Sequence, residues 1–118
     1  DRTVFYRPIG QNQGVQFPIA RAYSNMRGAE LMLDKALQLY EESGNPGEEA
    51  NLAKLQAADA SWAAAEACIQ TYGGFGFARE YDVERKYREA RLYQVAPIST
   101  NLILSYIGEH VLKMPRSY

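Results

Sequence analysis

The chain carries one cysteine, one tryptophan and one histidine, and it contains no long apolar run. A lone thiol, Cys68, excludes a disulfide within the chain; this fits a reducing compartment, with the cytoplasm as the default expectation. No stretch nears the roughly 18–20 apolar residues that span a bilayer, so no membrane segment is expected. Charge of one sign is missing too, since 13 basic and 14 acidic residues are mixed along the chain for a net charge of −1. That balance gives no footprint for nucleic acid and no patch for a membrane surface. Metal-ligand spacing of His, Cys, Asp or Glu is absent. So is the period of two that marks a strand. What is present is 118 residues at 47% hydrophobic content, enough for one modest core and a single domain over residues 1–118. The opening residues, Asp1 to Gly10, hold neither an initiator Met nor a helix start and read as the interior of a longer protein.

From Gly14 to Tyr40 the residues Phe17, Ala20, Met26, Ala29, Leu33, Ala36, Leu37 and Tyr40 recur at spacings of three and four, one face of a helix. Pro18 is placed near its first turn, where a missing N–H matters little. Gly44 suits a left-handed helix end. Asn45, Pro46 and Glu48 then read as N-cap, first helical residue and capping-box partner of a second helix reaching Thr71 or Tyr72. Its many alanines allow close approach to a neighbour, and the pair forms an antiparallel hairpin of helices. A short helix is expected from Asp82, its N-cap, to Tyr93. Pro97 interrupts, and a last helix runs from Ser99 to Lys113, with a loosely held tail from Met114 to Tyr118. The fold class is all-α, an antiparallel helical bundle.

Between the second and third helices lies Gln70-Thr71-Tyr72-Gly73-Gly74-Phe75-Gly76-Phe77. Paired glycines let a ligand approach the backbone, and turn amides can hold phosphate oxygens. The plainer alternative is a helix cap and tight corner that binds nothing. His110, near the end of the last helix, and Cys68, a small buried hydrophobe, are read as structural. The Arg85, Lys86, Arg88, Arg91 cluster reads as a solvated face or an intersubunit salt-bridge strip.

Taken together, Gln70-x-x-Gly73-Gly74-x-Gly76-Phe77, Glu80-Tyr81-x-Val83-Glu84-Arg85 and Arg88-Glu89-Ala90-Arg91 resemble the C-terminal signature of acyl-CoA dehydrogenases. Arg2-x-x-Phe5, Gln13, Phe17 and Ala20 fit the same register. The resemblance implies a four-helix bundle whose first helix is truncated here. It also implies an FAD cofactor shared across a homo-oligomer interface, an acyl-CoA substrate, and electron-transfer flavoprotein as acceptor. By position it implies that Arg2, Gln13, Gln70, Gly73 and Gly74 reach the dinucleotide, that Phe5 packs beside the flavin, and that Ser99 caps the last helix and touches flavin or ligand. It also makes Arg88 the best candidate for a buried pairing, since the family keeps an arginine there. No catalytic residue carries over. Where many members place a glutamate base, this chain has Pro97, which cannot take a proton. The base is therefore expected upstream of Asp1, or the chemistry is changed. A flavin monooxygenase or nitroalkane oxidase relative, and a non-enzymatic helical interaction domain, are the alternatives.

Overall fold

The computed structural model describes residues 2–116. It opens on a two-residue hairpin, β1 (Thr3–Val4) against β2 (Arg7–Pro8), with Thr3 opposite Pro8. Its corner residues Phe5 and Tyr6 both have positive φ, 52° and 64°. Tight hairpins demand this left-handed pair, and bulky L-residues adopt it at a cost of about 1–2 kcal/mol each. A single 3₁₀ turn, Ile9–Gln11, leads into α1 (Gln13–Ser43).

α1 and α2 (Gly47–Tyr72) form the long antiparallel pair that the periodicity predicts. Gly44 closes α1 in the left-handed conformation, φ 69°, its N–H bonded to the Tyr40 carbonyl. Two details differ from expectation. Pro18 is the sixth residue of α1, in its second turn rather than its first, so the Gly14 carbonyl loses its helical donor. The capping box does not form, because α2 starts at Gly47 after Pro46 and no side chain caps it. The Asn45 N–H is drawn back to Ser43 Oγ at 3.4 Å.

α3 (Val83–Leu92) and α4 (Thr100–Tyr106) complete the bundle, and α4 continues as a π-helical turn, Ile107–Val111. Asp82 precedes α3 as expected, but at φ 58° its carboxylate accepts from Arg85 Nε (3.0 Å) instead of capping the helix. Ser99 does cap α4, accepting from the Leu102 N–H at 3.3 Å. The tail is tied as far as Met114, whose N–H bonds the Gly108 carbonyl at 2.9 Å. Ser117 and Tyr118 lie outside the described residues, as does the part of a first bundle helix that would precede residue 2.

Packing rests on small residues. Ala29 and Ala36 of α1 and Ala53 and Ala60 of α2 are buried two turns apart on each helix, so the axes approach closely. Trp62 on α2 stacks on Tyr87 of α3, ring centroids 4.6 Å apart. Ile103 of α4, 1% exposed, is the one large side chain fully buried among the described residues. Phe17, Met26, Leu33, Leu37 and Tyr40 stay 49–64% exposed, lining or flanking a groove along α1 and α2. The outline is accordingly long, 56 × 30 × 25 Å, with a radius of gyration of 17.8 Å. A compact chain of this length would have about 13–14 Å. Cys68 lines that groove half-exposed rather than buried. Arg88 is 71% exposed and pairs with Glu84 on the surface at 2.9 Å, not in the interior. No helix among the described residues is long and apolar enough to cross a membrane.

Candidate functional site

The C-terminus of α2, the hairpin and the first turns of α1 enclose an open cleft of about 970 Å³. The glycine turn borders it, following directly on the lining residues Gln70 and Thr71 with Gly73 beside Arg2. α2 ends when the Gly73 N–H bonds the Ile69 carbonyl, and Gly73 takes φ 59°, ψ −134°, a region open in practice only to glycine. A 3₁₀ turn, Gly73–Phe77, follows. Gly76 is buried inside it, and a Cβ there would stand 3.1 Å from the Ile69 carbonyl oxygen. Tyr81 packs edge-on against both Tyr72 and Phe75, at 5.5 and 5.6 Å, and so braces the turn.

Gly74 is different. It is exposed, its φ is ordinary, and a Cβ built on it meets nothing within 4 Å. Nothing inside the chain requires glycine there, so its backbone is open to close approach from outside.

Arg2 reaches the same turn. Its guanidinium lies 5.8 Å from the Phe75 ring centroid, and Nη1 is 3.8 Å from where a Gly73 Cβ would be. Arg7 and Arg21 line the cleft with it, and Arg7 donates to Asn12 Oδ1 at 2.7 Å. None of these three arginines is ion-paired among the described residues, where salt bridges occur instead within α1 (Arg27–Glu30) and around α3. The cleft has one acid, Glu66. Partial burial, and then the neighbouring Glu66 carboxylate, raise the Tyr87 phenol above its usual range. Guanidinium groups without an ion-pair partner beside an open glycine turn make an anion receptor, and Phe5 and Trp62 supply flat apolar surface in the cleft.

Of the residues singled out from sequence, Arg2, Phe5 and Gln70 line the cleft, while Gly73, beside Arg2, and Gly74 follow just beyond its lining residue Thr71. Gln13 stands exposed at the start of α1, beside the lining residues Asn12 and Gly14. Ser99 is apart. Thr100 donates to the Gln94 carbonyl, and the Gln94 side chain bonds Asp59, roughly 16 Å along the α2 axis from Gln70. Pro97 lies exposed in the α3–α4 turn. Sequence reading missed Arg7, Arg21 and Trp62 as cleft residues, because only the folded hairpin and the α1–α2 pairing bring them together.

The sequence model of the acyl-CoA dehydrogenase C-terminal domain matches residues 1–112. The chain belongs to the acyl-CoA dehydrogenase family. It is 40% identical to the acyl-CoA dehydrogenase FadE12 of Mycobacterium tuberculosis, over 99% of this chain and 31% of that protein. With an acyl-CoA dehydrogenase of Bacillus subtilis it shares 38% identity, over 94% of this chain and 29% of the relative. Among solved structures it is similar to a chain from work on the electron transferring flavoprotein of Acidaminococcus fermentans and flavin-based electron bifurcation. That likeness has a TM-score of 0.89 and 26% identity, over 95% of this chain and 30% of the other. The chain thus spans under a third of these acyl-CoA dehydrogenases, the share that holds their C-terminal helical domain.

Proposed function

We propose that this chain is the C-terminal bundle of an FAD-dependent acyl-CoA dehydrogenase that introduces an α,β double bond into an acyl-CoA thioester. Gly74 carries the reading: an exposed residue of the glycine turn with no internal reason to lack a side chain, next to the unpaired guanidinium of Arg2. The residues present fit a flavin dinucleotide. Arg2 would meet the diphosphate, Gly73 and Gly74 would let it approach the backbone, and Gln70 and Gln13 would hydrogen-bond its adenosine portion. Phe5 would cover the flavin ring, and Ser99, by the family's register, would touch flavin or ligand from a second position. FAD, when bound, supplies the redox chemistry. This chain's part is to position it and exclude water. The residue at the base position is Pro97, so the group that takes the α-proton comes from outside residues 2–116. The acceptor of the electrons is an electron-transfer flavoprotein, and the FAD is shared between subunits of a homo-oligomer.

The test uses the full-length protein. Gly74→Leu is expected to keep the far-UV spectrum and melting temperature, because a side chain there meets open space, and to lose most of the bound flavin absorbance. Parent protein that stays colourless at saturating FAD, or a Gly74→Leu variant as yellow as the parent, would defeat the proposal.

A further inference from the structure

The turn between α3 and α4, residues 93–99, has little packing of its own. Tyr93, Val95 and Ile98 are 50–57% exposed, so burial of these side chains does not fix where the turn sits. Two residues of α2 hold it instead. The Lys54 ammonium donates to the Tyr93 carbonyl, and the Gln94 amide donates to the Asp59 carboxylate at 3.1 Å. These bonds join residues 39 and 35 positions apart and land on consecutive residues of the turn. Each has one charged partner, which makes it stronger than a neutral bond. Lys54 and Asp59 stand about 7.5 Å apart along the helix axis, so the turn is gripped at two points and cannot swing about one.

From Gln94 the constraint passes to α4. The Gln94 carbonyl accepts from the Thr100 N–H at 3.1 Å and from Thr100 Oγ1 at 3.4 Å. Ser99 adjoins Thr100, and its Oγ accepts from the Leu102 N–H, which leaves the hydroxyl proton to donate. We infer that Lys54 and Asp59 are positioning residues: by clamping Tyr93 and Gln94 to α2 they set the Ser99 hydroxyl where it donates to bound flavin. The inference rests on the FAD reading above, with Ser99 as its second point of contact.

The test compares full-length Ser99→Gly, Lys54→Met, Asp59→Ala and the Lys54→Met/Ser99→Gly double variant. Glycine is the least costly replacement at an N-cap, so α4 keeps its start. The two clamp bonds are exposed, and the flavin-free Lys54→Met and Asp59→Ala proteins should melt within about 4 °C of the parent. Ser99→Gly should raise the FAD dissociation constant about 3–10-fold, as loss of one hydrogen bond predicts, and shift the visible absorption band of the bound flavin. Lys54→Met and Asp59→Ala should reproduce the same shift and weaken FAD in the same range, because each displaces the hydroxyl. The double variant should bind FAD no worse than Ser99→Gly, since both changes remove one contact. Clamp variants with the parent's band and affinity, or losses that add in the double variant, remove Lys54 and Asp59 from this role and leave the FAD reading intact. A Ser99→Gly protein that binds FAD as the parent does has the same consequence. A parent protein that takes up no flavin overturns both.

Discussion

Gly73, Gly74 and Gly76 lack side chains for three separate reasons. Gly73 is held at a φ that side chains resist, Gly76 is wedged against the backbone of Ile69, and Gly74 faces open space. Substitutions should therefore part company within one turn. Gly76→Ala pushes a methyl group against a carbonyl oxygen and a Cα, neither of which can swing aside, and should cost about 1–3 kcal/mol in urea titrations. A Gly76→Ala protein as stable as the parent would mean that the turn has slack the structure does not contain. The sequence shows three glycines in a row of five and cannot rank them, because what separates them is the neighbour each would meet.

At the scale of elements, α3 is held to its own N-terminus by charge. Arg85 bridges Asp82 and Glu89 at 3.0 and 2.5 Å, Lys86 adds to Glu89, and Arg88 pairs with Glu84. Hydrogen bonding to Arg85 lowers the Asp82 carboxyl below its usual range, and bonding to Lys86 and then Arg85 does the same for Glu89. Both groups thus ionise more readily folded than unfolded. Their stabilisation is complete above the unfolded value, about pH 4, and is lost as pH falls through the folded values. Helix signal should decline below about pH 4, high salt should mute the effect, and Asp82→Asn with Glu89→Gln should flatten it. A parent and double variant with superimposable acid titrations would contradict this. Helix ends in this chain were legible where one residue acts alone, as Gly44 and Ser99 do. They were not legible where a competing partner intervenes: Asn45 is turned back by Ser43, and Asp82 is taken by Arg85. The hairpin left no trace in the sequence, since two-residue strands have no period and an aromatic pair is not turn chemistry.

The whole molecule is a long helical pair with two shorter helices laid on it, and its interior is built largely of alanine. The class and the order of elements could be read from periodicity and glycine positions. The cleft could not, because Arg2, Arg21 and Trp62 are far apart in the chain and meet only when α2 folds back on α1. The shallow interior also has a calorimetric consequence. Unfolding raises heat capacity chiefly by wetting apolar surface, and here Phe17, Leu33, Leu37 and Tyr40 are half wet from the start. The 118-residue chain on its own should melt with an increment below the ~12 cal/mol/K per residue usual for globular proteins. An increment at or above that figure, measured by scanning calorimetry, would mean that those side chains are sheltered in solution. A low increment also flattens the curve of stability against temperature, so such a chain would lose little on cooling and would melt gradually.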